Sequence, residues 1–130
     1  MSGTGLSLEK ADPPMVILVV EDECLLNIIE SDDLRSAGQE VVSAYNADEA
    51  IDILEHRSDI GTLVTDIDMP GSMDGLELAA TVHDRWPPVH IIITSGRTRP
   101  SRSQMPQDSR FIPKPWRVSD VVDAVRSFGN

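Results

Sequence analysis

The residues with the clearest chemical potential follow buried-looking hydrophobic runs of the sequence. Glu21 and Asp22 follow the first run, Asp66 follows a second, Ser95 ends a third, and Lys114 comes directly after a fourth. If these runs are neighbouring strands of a parallel α/β sheet, their carboxyl ends meet at one edge, which is where such sheets bind ligands. The sequence therefore predicts that these five side chains share one site.

Their chemistry is that of phosphoryl transfer. Three carboxylates at adjacent strand ends repel one another unless a cation lies among them, and oxygen ligands without His or Cys suit Mg²⁺. Lys114 and a hydroxyl at 94 or 95 supply two donors for a tetrahedral anion, and Gly96 lets the backbone approach it closely. The set predicts that Asp66 is a nucleophile and that an aspartyl phosphate is the intermediate.

Each signal alone has a plainer explanation. An acidic run after a strand is usually a solvated loop, and Asp is a common turn former. Only the joint occurrence of the acids, the hydroxyl and the lysine at the ends of neighbouring strands favours a functional site. Cys24 is interpreted as a packed bystander. Trp116 is either near the site or a hydrophobic lid over the last helix. The remaining acids of these segments are interpreted as surface charge: Glu23, Glu30, Asp32, Asp33, Asp74 and the side chain of Asp68.

Strand and helix patterns alternate from one end of the chain to the other. Continuous β-branched runs predict strands covered on both faces, and apolar residues at helical spacing, Leu25 and Ile28 among them, predict the helices between them. This order implies right-handed crossovers and a doubly wound, five-stranded parallel sheet of flavodoxin-like α/β architecture. The predicted strands are 15–20, 41–44, 62–65, 90–94 and 111–112, and the predicted helices lie at 25–38, 46–55, 76–84 and 118–128.

One segment does not fit that alternation. The helix expected between the fourth and fifth strands, the fourth in the series, falls on residues 97–110, which contain Pro100, Pro106 and few apolar side chains. Proline removes a helical hydrogen bond and restricts the preceding residue. We expect only a short or distorted helix there.

Composition limits the classes of function. The 130 residues suit one domain, which we place at 15–129 after a disordered leader at 1–14. With 11 Lys plus Arg against 22 Asp plus Glu, the net charge of −11 argues against direct nucleic-acid binding. The single cysteine excludes an internal disulfide and fits a reducing cytosol. No hydrophobic run is long enough to span a membrane.

The motifs resemble the receiver domains of bacterial two-component response regulators. The resemblance rests on Glu21-Asp22 after the first strand, Asp66 in Asp-Ile-Asp-Met-Pro-Gly-Ser-Met-Asp-Gly, Ser95-Gly96, and Phe111-Ile-Pro-Lys-Pro. It extends from Met15 to Phe128. The sequence departs from the family in having Phe at 111 instead of the more familiar Tyr, one extra residue within 70–75, and the proline-containing segment after Ser95.

The resemblance implies roles for individual residues. Asp66 is expected to be the phosphoacceptor and to bind Mg²⁺ with Glu21, Asp22 and the backbone carbonyl of Asp68. The resemblance also implies a switch hydroxyl on Ser95, a phosphate-pairing cation on Lys114 and an aromatic switch at Phe111. Arg97 is expected either to pair with Asp68 or to bind the phosphate, and so to lengthen the lifetime of the phosphorylated state.

The function that follows is that of a phosphoacceptor in the bacterial cytoplasm. It would receive the phosphoryl group from a sensor histidine kinase or a His phosphotransfer protein and catalyse its own Mg²⁺-dependent phosphorylation and dephosphorylation without being a conventional enzyme. We expect no output domain in this sequence, so the signal leaves by contact with a downstream protein target; a homodimer is left open. Two alternatives remain: a phosphorylation-independent pseudo-receiver that serves as an interaction module and, less favoured, a Mg²⁺-dependent phosphatase using Asp68.

Overall fold

The computed structural model describes residues 15–128, so the leader predicted at 1–14 lies outside the described residues. Five strands alternate with four α-helices and one short 3₁₀ helix. In chain order they are β1 (Val16–Val20), α1 (Cys24–Ser36), β2 (Glu40–Ala44), α2 (Ala47–His56), β3 (Ile60–Asp66), α3 (Gly75–Arg85), β4 (His90–Ser95), the 3₁₀ helix (Arg102–Gln104), β5 (Arg110–Pro113) and α4 (Val118–Phe128).

The strands form one parallel sheet in the order β2-β1-β3-β4-β5. Its register brings the ends of the strands together, since Asp66 pairs with Thr94 and Ser95 pairs with Pro113. The predicted doubly wound, flavodoxin-like fold is confirmed. Strand β3 runs further than predicted, so that Asp66 is its last residue.

Two hydrophobic layers explain the continuous apolar strands. On one face Leu18 and Leu63 pack with α2 and α3, and on the other Val19 and Ile92 pack with α1 and α4. Every residue of β1 and β3 is buried, as expected for strands that helices cover on both sides. The central strands therefore form a rigid support for the residues at their carboxyl ends.

Helix α1 leaves part of its apolar pattern exposed, although Leu34 is buried in the core. Leu25 is 70% exposed and Ile28 47% exposed, whereas Asn27 is buried in the helix interface. The Asn27 side-chain amide donates to the carbonyls of Glu21 and Ala44, at 3.0 and 2.9 Å. Buried carbonyls need such donors, so Asn27 lies inward on the same helix as the buried Leu34. The apolar pattern therefore predicted the helix but only part of its inward face.

The short-helix expectation for 97–110 is confirmed. Only Arg102–Gln104 forms a 3₁₀ turn, in a segment bounded by Pro100 and Pro106. The segment that connects β4 to the edge strand β5 is therefore mostly loop. Within residues 15–128, no helix has both the length and the apolar character required to cross a membrane.

Candidate functional site

Three carboxylates meet where β1 and β3 end. Glu21 directly follows β1, Asp22 comes next, and Asp66 closes β3; one oxygen from each lies within 4.8 Å of the others. Glu21 is 2% exposed and Asp66 8% exposed. They line a cleft of about 340 Å³ that opens at the carboxyl edge of the sheet. The structure thus brings together the three acids that the sequence predicts as neighbours.

Lys114 supplies the positive charge that this cluster requires. Its Nζ lies 2.5 Å from Glu21 Oε1 and 3.5 Å from Asp66 Oδ1. The loop after β5 places it there, held by the Lys114 N–H, which donates to the Ser95 carbonyl at 3.0 Å. A buried carboxylate left without such a partner is strongly destabilising. Lys114 therefore bridges a supporting acid, Glu21, and the Asp66 carboxylate.

Burial sets the charge state of the cluster. It raises the pKa of Asp66 to about 6; Lys114 acts in the opposite direction, and Glu21 and Asp68 raise it further. Burial alone would lower the pKa of Lys114, but the hydrogen bond with Glu21 and the neighbouring acids outweigh it and raise that pKa. Burial, followed by the charge of Glu21, also raises the pKa of Asp22. Near neutral pH, the Asp66 carboxylate is thus ionised and held beside an ammonium group.

The Ser95 hydroxyl is held by Asp68. It donates to Asp68 Oδ2 at 2.9 Å and accepts from the backbone N–H groups of Arg97 and Thr98, at 3.1 and 2.8 Å. The Thr98 hydroxyl donates to the other Asp68 oxygen at 3.3 Å. Among the described residues Arg97 forms no ion pair with Asp68, although both line the cleft. The Asp68 carboxylate is exposed, in agreement with its interpretation as surface charge, and it also tethers the loop after β4.

The start of α3 is fitted tightly beneath Asp66. The Gly75 N–H donates to the Ile67 carbonyl at 2.9 Å, and a Cβ at Gly75 would lie 1.8 Å from the Asp66 carbonyl oxygen. A capping box formed by Asp74 and Glu77 fixes the first turn of the helix. Position 75 therefore accepts only glycine if the backbone of Asp66 is to keep its place.

Glu30 lies buried at the edge of this site, so its interpretation as surface charge is wrong. It is 9% exposed on the inward face of α1, and it lines a cavity of about 520 Å³ beside Lys114 and Trp116. Burial raises the pKa of Glu30 to about 7; Lys114 lowers it, and Glu21 and Asp66 raise it. Its position four residues before the buried Leu34 is the signal that could have identified it, since residues i and i+4 share a helix face.

Removing the charge of Glu30 is expected to stabilise the protein at alkaline pH. Between pH 4.5 and about 7 the folded protein holds a proton that the unfolded chain has lost, so stability falls as pH rises through this window. We expect Glu30→Gln to raise the free energy of unfolding by about 1–2 kcal/mol at pH 8 and to leave it nearly unchanged at pH 4. Urea denaturation at both pH values measures this.

The matched control for that variant is Asp33→Asn, an exposed acid on the same helix. It should change the free energy of unfolding by less than about 0.5 kcal/mol at either pH. A Glu30→Gln protein that is no more stable than wild type at pH 8 would show that ionisation of Glu30 does not lower the free energy of unfolding.

The structure also shows where Phe111, Trp116 and Cys24 lie. Phe111 is half-buried and packs against the core between the sheet and α3, with the guanidinium of Arg99 5.9 Å from its ring centre. Trp116 packs on the opposite layer and lines the cavity next to Lys114, with its buried Nε1 lacking a hydrogen-bond partner among the described residues. Cys24 is exposed, so its interpretation as a packed bystander is wrong.

The donor set of the cluster fits a hard divalent cation. Glu21, Asp22 and Asp66 offer carboxylate oxygens, and no His or Cys belongs to the group. Oxygen-only sites with few protein carboxylates suit Mg²⁺, which keeps part of its water shell. Burial is the main reason why the pKa values of Asp66 and Asp22 are raised, and repulsion between the neighbouring acids adds to it; a bound cation would relieve that repulsion.

Comparison with known proteins gives a consistent result. A family model described as "Response regulator receiver domain" matches residues 17–126. The chain is 28% identical over 116 residues to the transcriptional regulatory protein PdtaR of Mycobacterium tuberculosis, covering 86% of this chain. The match covers 55% of PdtaR, so this chain spans about half the length of that relative.

Two solved structures show the same fold. A response regulator receiver protein from Sinorhizobium medicae superposes with a TM-score of 0.79 at 27% identity, covering 87% of this chain and 92% of the other. The response regulator TrrA of Thermotoga maritima, solved in complex with Mg(2+)-BeF, gives a TM-score of 0.74 at 24% identity and covers 87% of this chain and 97% of that one. At this identity the second likeness concerns the fold alone.

Proposed function

This chain belongs to the response regulator receiver domain family, and from that premise we propose that it accepts a phosphoryl group on Asp66 and signals through protein contacts. The observation that carries the proposal is the position of Asp66, which ends β3 with its carboxylate inside the acidic cluster and 3.5 Å from Lys114 Nζ. A nucleophile, a cation beside it and a cleft open to a donor are the parts that phosphoryl transfer needs.

The reaction forms an acyl phosphate. An Asp66 carboxylate oxygen attacks the phosphorus of a phosphohistidine; the new O–P bond forms as the P–N bond breaks, and the imidazole nitrogen keeps the electron pair and takes up a proton. Lys114 pairs with the phosphoryl oxygens, and Arg97 at the cleft is proposed to bind them too. When bound by Glu21, Asp22, Asp66 and the Asp68 carbonyl, Mg²⁺ would offset the negative charge on those oxygens.

A protein donor fits the surroundings of the cleft. Helix α1 lines the cleft through Leu26, and the same helix exposes Leu25, Ile28 and Ile29. Exposed apolar clusters of this kind typically mark interaction sites. We therefore propose a sensor histidine kinase or a His phosphotransfer protein as donor, a downstream protein as receiver of the signal, and the bacterial cytoplasm as the location.

Phosphorylation by a small donor tests this proposal against the pseudo-receiver alternative. Acetyl phosphate with Mg²⁺ should add one phosphoryl group to the wild-type protein in intact-mass spectra, and EDTA should prevent it. We expect Asp22→Ala to lose most of the labelling, and the Mg²⁺-dependent change in Trp116 fluorescence with it, because it removes a carboxylate from the cluster. A wild-type protein that is never labelled would favour the phosphorylation-independent module.

A switch follows from the hydrogen bonds of Ser95. Its hydroxyl is engaged by Asp68, and we propose that the phosphoryl group on Asp66 competes for it and so releases the loop that Asp68 tethers. Phe111, next to this loop, is proposed to turn inward as the loop moves. The loop 97–110 with its single 3₁₀ turn is the element whose packing changes.

Ser95→Ala should separate phosphorylation from this switch. We expect the variant to be labelled at Asp66, while the phosphorylation-dependent change in amide exchange between 97 and 111 falls to less than about a quarter of the wild-type change. Ser103→Ala, an exposed serine of the same segment that is not the N-cap of the 3₁₀ turn, should keep the full change. If Ser95→Ala retains the full change as well, the hydroxyl does not couple the site to the loop.

A further inference from the structure

A cavity of about 520 Å³ lies between helix α1 and the segment that follows β5. Helix α1 contributes Leu26, Ile29 and Glu30 to its lining, and the segment after β5 contributes Lys114 and Trp116. Cavities of this size, with apolar walls and a few polar groups, are typical of sites for small organic molecules. The chemistry of a ligand for this cavity depends on the polar groups in its wall.

The buried carboxylate of Glu30 has no partner within the described chain. Glu30 is 9% exposed, and among residues 15–128 its carboxylate forms neither an ion pair nor a hydrogen bond. The Lys114 ammonium pairs with Glu21 and Asp66 instead. Burial is the largest cause of the raised pKa of Glu30, and Lys114 offsets it only in part. The wall of the cavity therefore holds an acceptor that the protein does not satisfy.

The charge around the cavity favours a positively charged ligand. Asp33 lies one helical turn after Glu30, on the same face of α1, and also lines the cavity. Two carboxylates thus face it, against one ammonium group that is already engaged by other acids. The net charge of −11 on the whole protein attracts cations further.

We propose that this cavity binds a small organic amine. Its ammonium group would pair with Glu30, and its apolar body would pack against Leu26, Ile29 and the ring of Trp116. An ammonium group has three donors for carboxylate oxygens, and the face of an indole ring attracts cations. A neutral apolar ligand would leave the carboxylate without a partner.

An inorganic cation fits this cavity less well than an amine does. Mg²⁺ and Ca²⁺ require about six oxygen ligands, whereas the cavity offers two carboxylates among apolar side chains. A lysine side chain of another protein carries the same ammonium group as a free amine. Its flexible stem loses more freedom on binding than an aromatic body does, and an aromatic ring can also stack on Trp116. We therefore choose an arylalkyl amine as the ligand class.

An NMR titration with 2-phenylethylamine tests this proposal. The indole N–H signals of Trp116 and Trp86, the two tryptophans of the chain, are the readout. At pH 8, where Glu30 is mostly ionised, the Trp116 signal should shift with a Kd on the order of 1 mM. Trp86 packs in the other hydrophobic layer, so its signal should not move. 2-Phenylethanol, which has nearly the same shape without the charge, should bind at least about tenfold more weakly.

Glu30→Gln separates the carboxylate from the shape of the cavity. This variant should lose the preference for the amine and bind the two probes within about twofold of each other. Asp32→Asn is the matched control, because it removes the same charge from an exposed position of the same helix. It should keep the preference of wild type within about twofold.

Other results overturn the proposal. If the Trp116 signal does not respond to the amine, or if both variants lose the preference equally, the cavity is not an amine site. If Mg²⁺ displaces the amine, the amine lies among Glu21, Asp22 and Asp66 instead. If Nα-acetyl-lysine amide binds more tightly than 2-phenylethylamine, the occupant is a lysine side chain of a protein. The inference goes beyond the proposed function, because amine binding is measured on the unphosphorylated protein and does not depend on labelling by acetyl phosphate.

Discussion

Asp66→Asn should lose phosphorylation almost completely, at least about a hundredfold in initial rate. The amide has nearly the shape of the carboxylate but is a poor nucleophile and carries no charge for Lys114 to pair with. The variant should nevertheless fold, and above pH 6 it should be more stable than wild type, because the wild-type fold raises the pKa of this carboxyl to about 6 and pays for its ionisation. Intact-mass spectra after acetyl phosphate and Mg²⁺ measure the loss.

Asp68→Asn is the matched control for that experiment. It removes one charge two residues further on and keeps an oxygen able to accept from Ser95. We expect it to be labelled to at least half of the wild-type level. Labelling of Asp66→Asn that equals wild type, or loss of labelling in Asp68→Asn alone, would move the phosphoacceptor away from Asp66 and would bring back the phosphatase reading in which Asp68 takes part.

Gly75→Ala should destabilise the protein by about 3 kcal/mol or more. Its Cβ would lie 1.8 Å from the Asp66 carbonyl oxygen and 2.7 Å from Ile67 Cα, both backbone atoms that cannot rotate away. The helix cannot retreat without breaking the hydrogen bond from the Gly75 N–H to the Ile67 carbonyl. Because the clash is with the backbone of Asp66, the proposed phosphoacceptor, labelling should fall together with stability. Urea denaturation measures the loss of stability, and labelling with acetyl phosphate measures the loss of phosphorylation.

Gly96→Ala provides the comparison within the same cleft. The nearest atom to a Cβ at position 96 is Lys114 Cβ at 3.8 Å, an ordinary contact, so the change should cost less than about 1 kcal/mol. If Gly75→Ala unfolds at the same urea concentration as wild type, the segment between Asp66 and α3 must be able to shift, contrary to the tight fit described for it.

The fold and the centre of the site could be predicted from sequence because both depend on local patterns. Short continuous runs of β-branched residues, such as Val16–Val20, favour strands covered on both faces, and parallel strands necessarily bring their carboxyl ends to one edge. Acids placed at those ends, Glu21, Asp22 and Asp66, therefore had to meet. Pro100 and Pro106 likewise excluded a regular helix wherever the chain folded.

The hydrogen-bond partners of the buried polar groups were decided by the tertiary structure alone. The inward face of α1 was set by the carbonyls that Asn27 satisfies, which belong to two other segments, and this buried Glu30 while leaving Leu25 and Ile28 in solvent. The pairing of Ser95 with Asp68 joins residues 27 positions apart. A residue's spacing in sequence gives its periodicity, but the free energy of a buried polar group depends on donors and acceptors brought by distant parts of the chain.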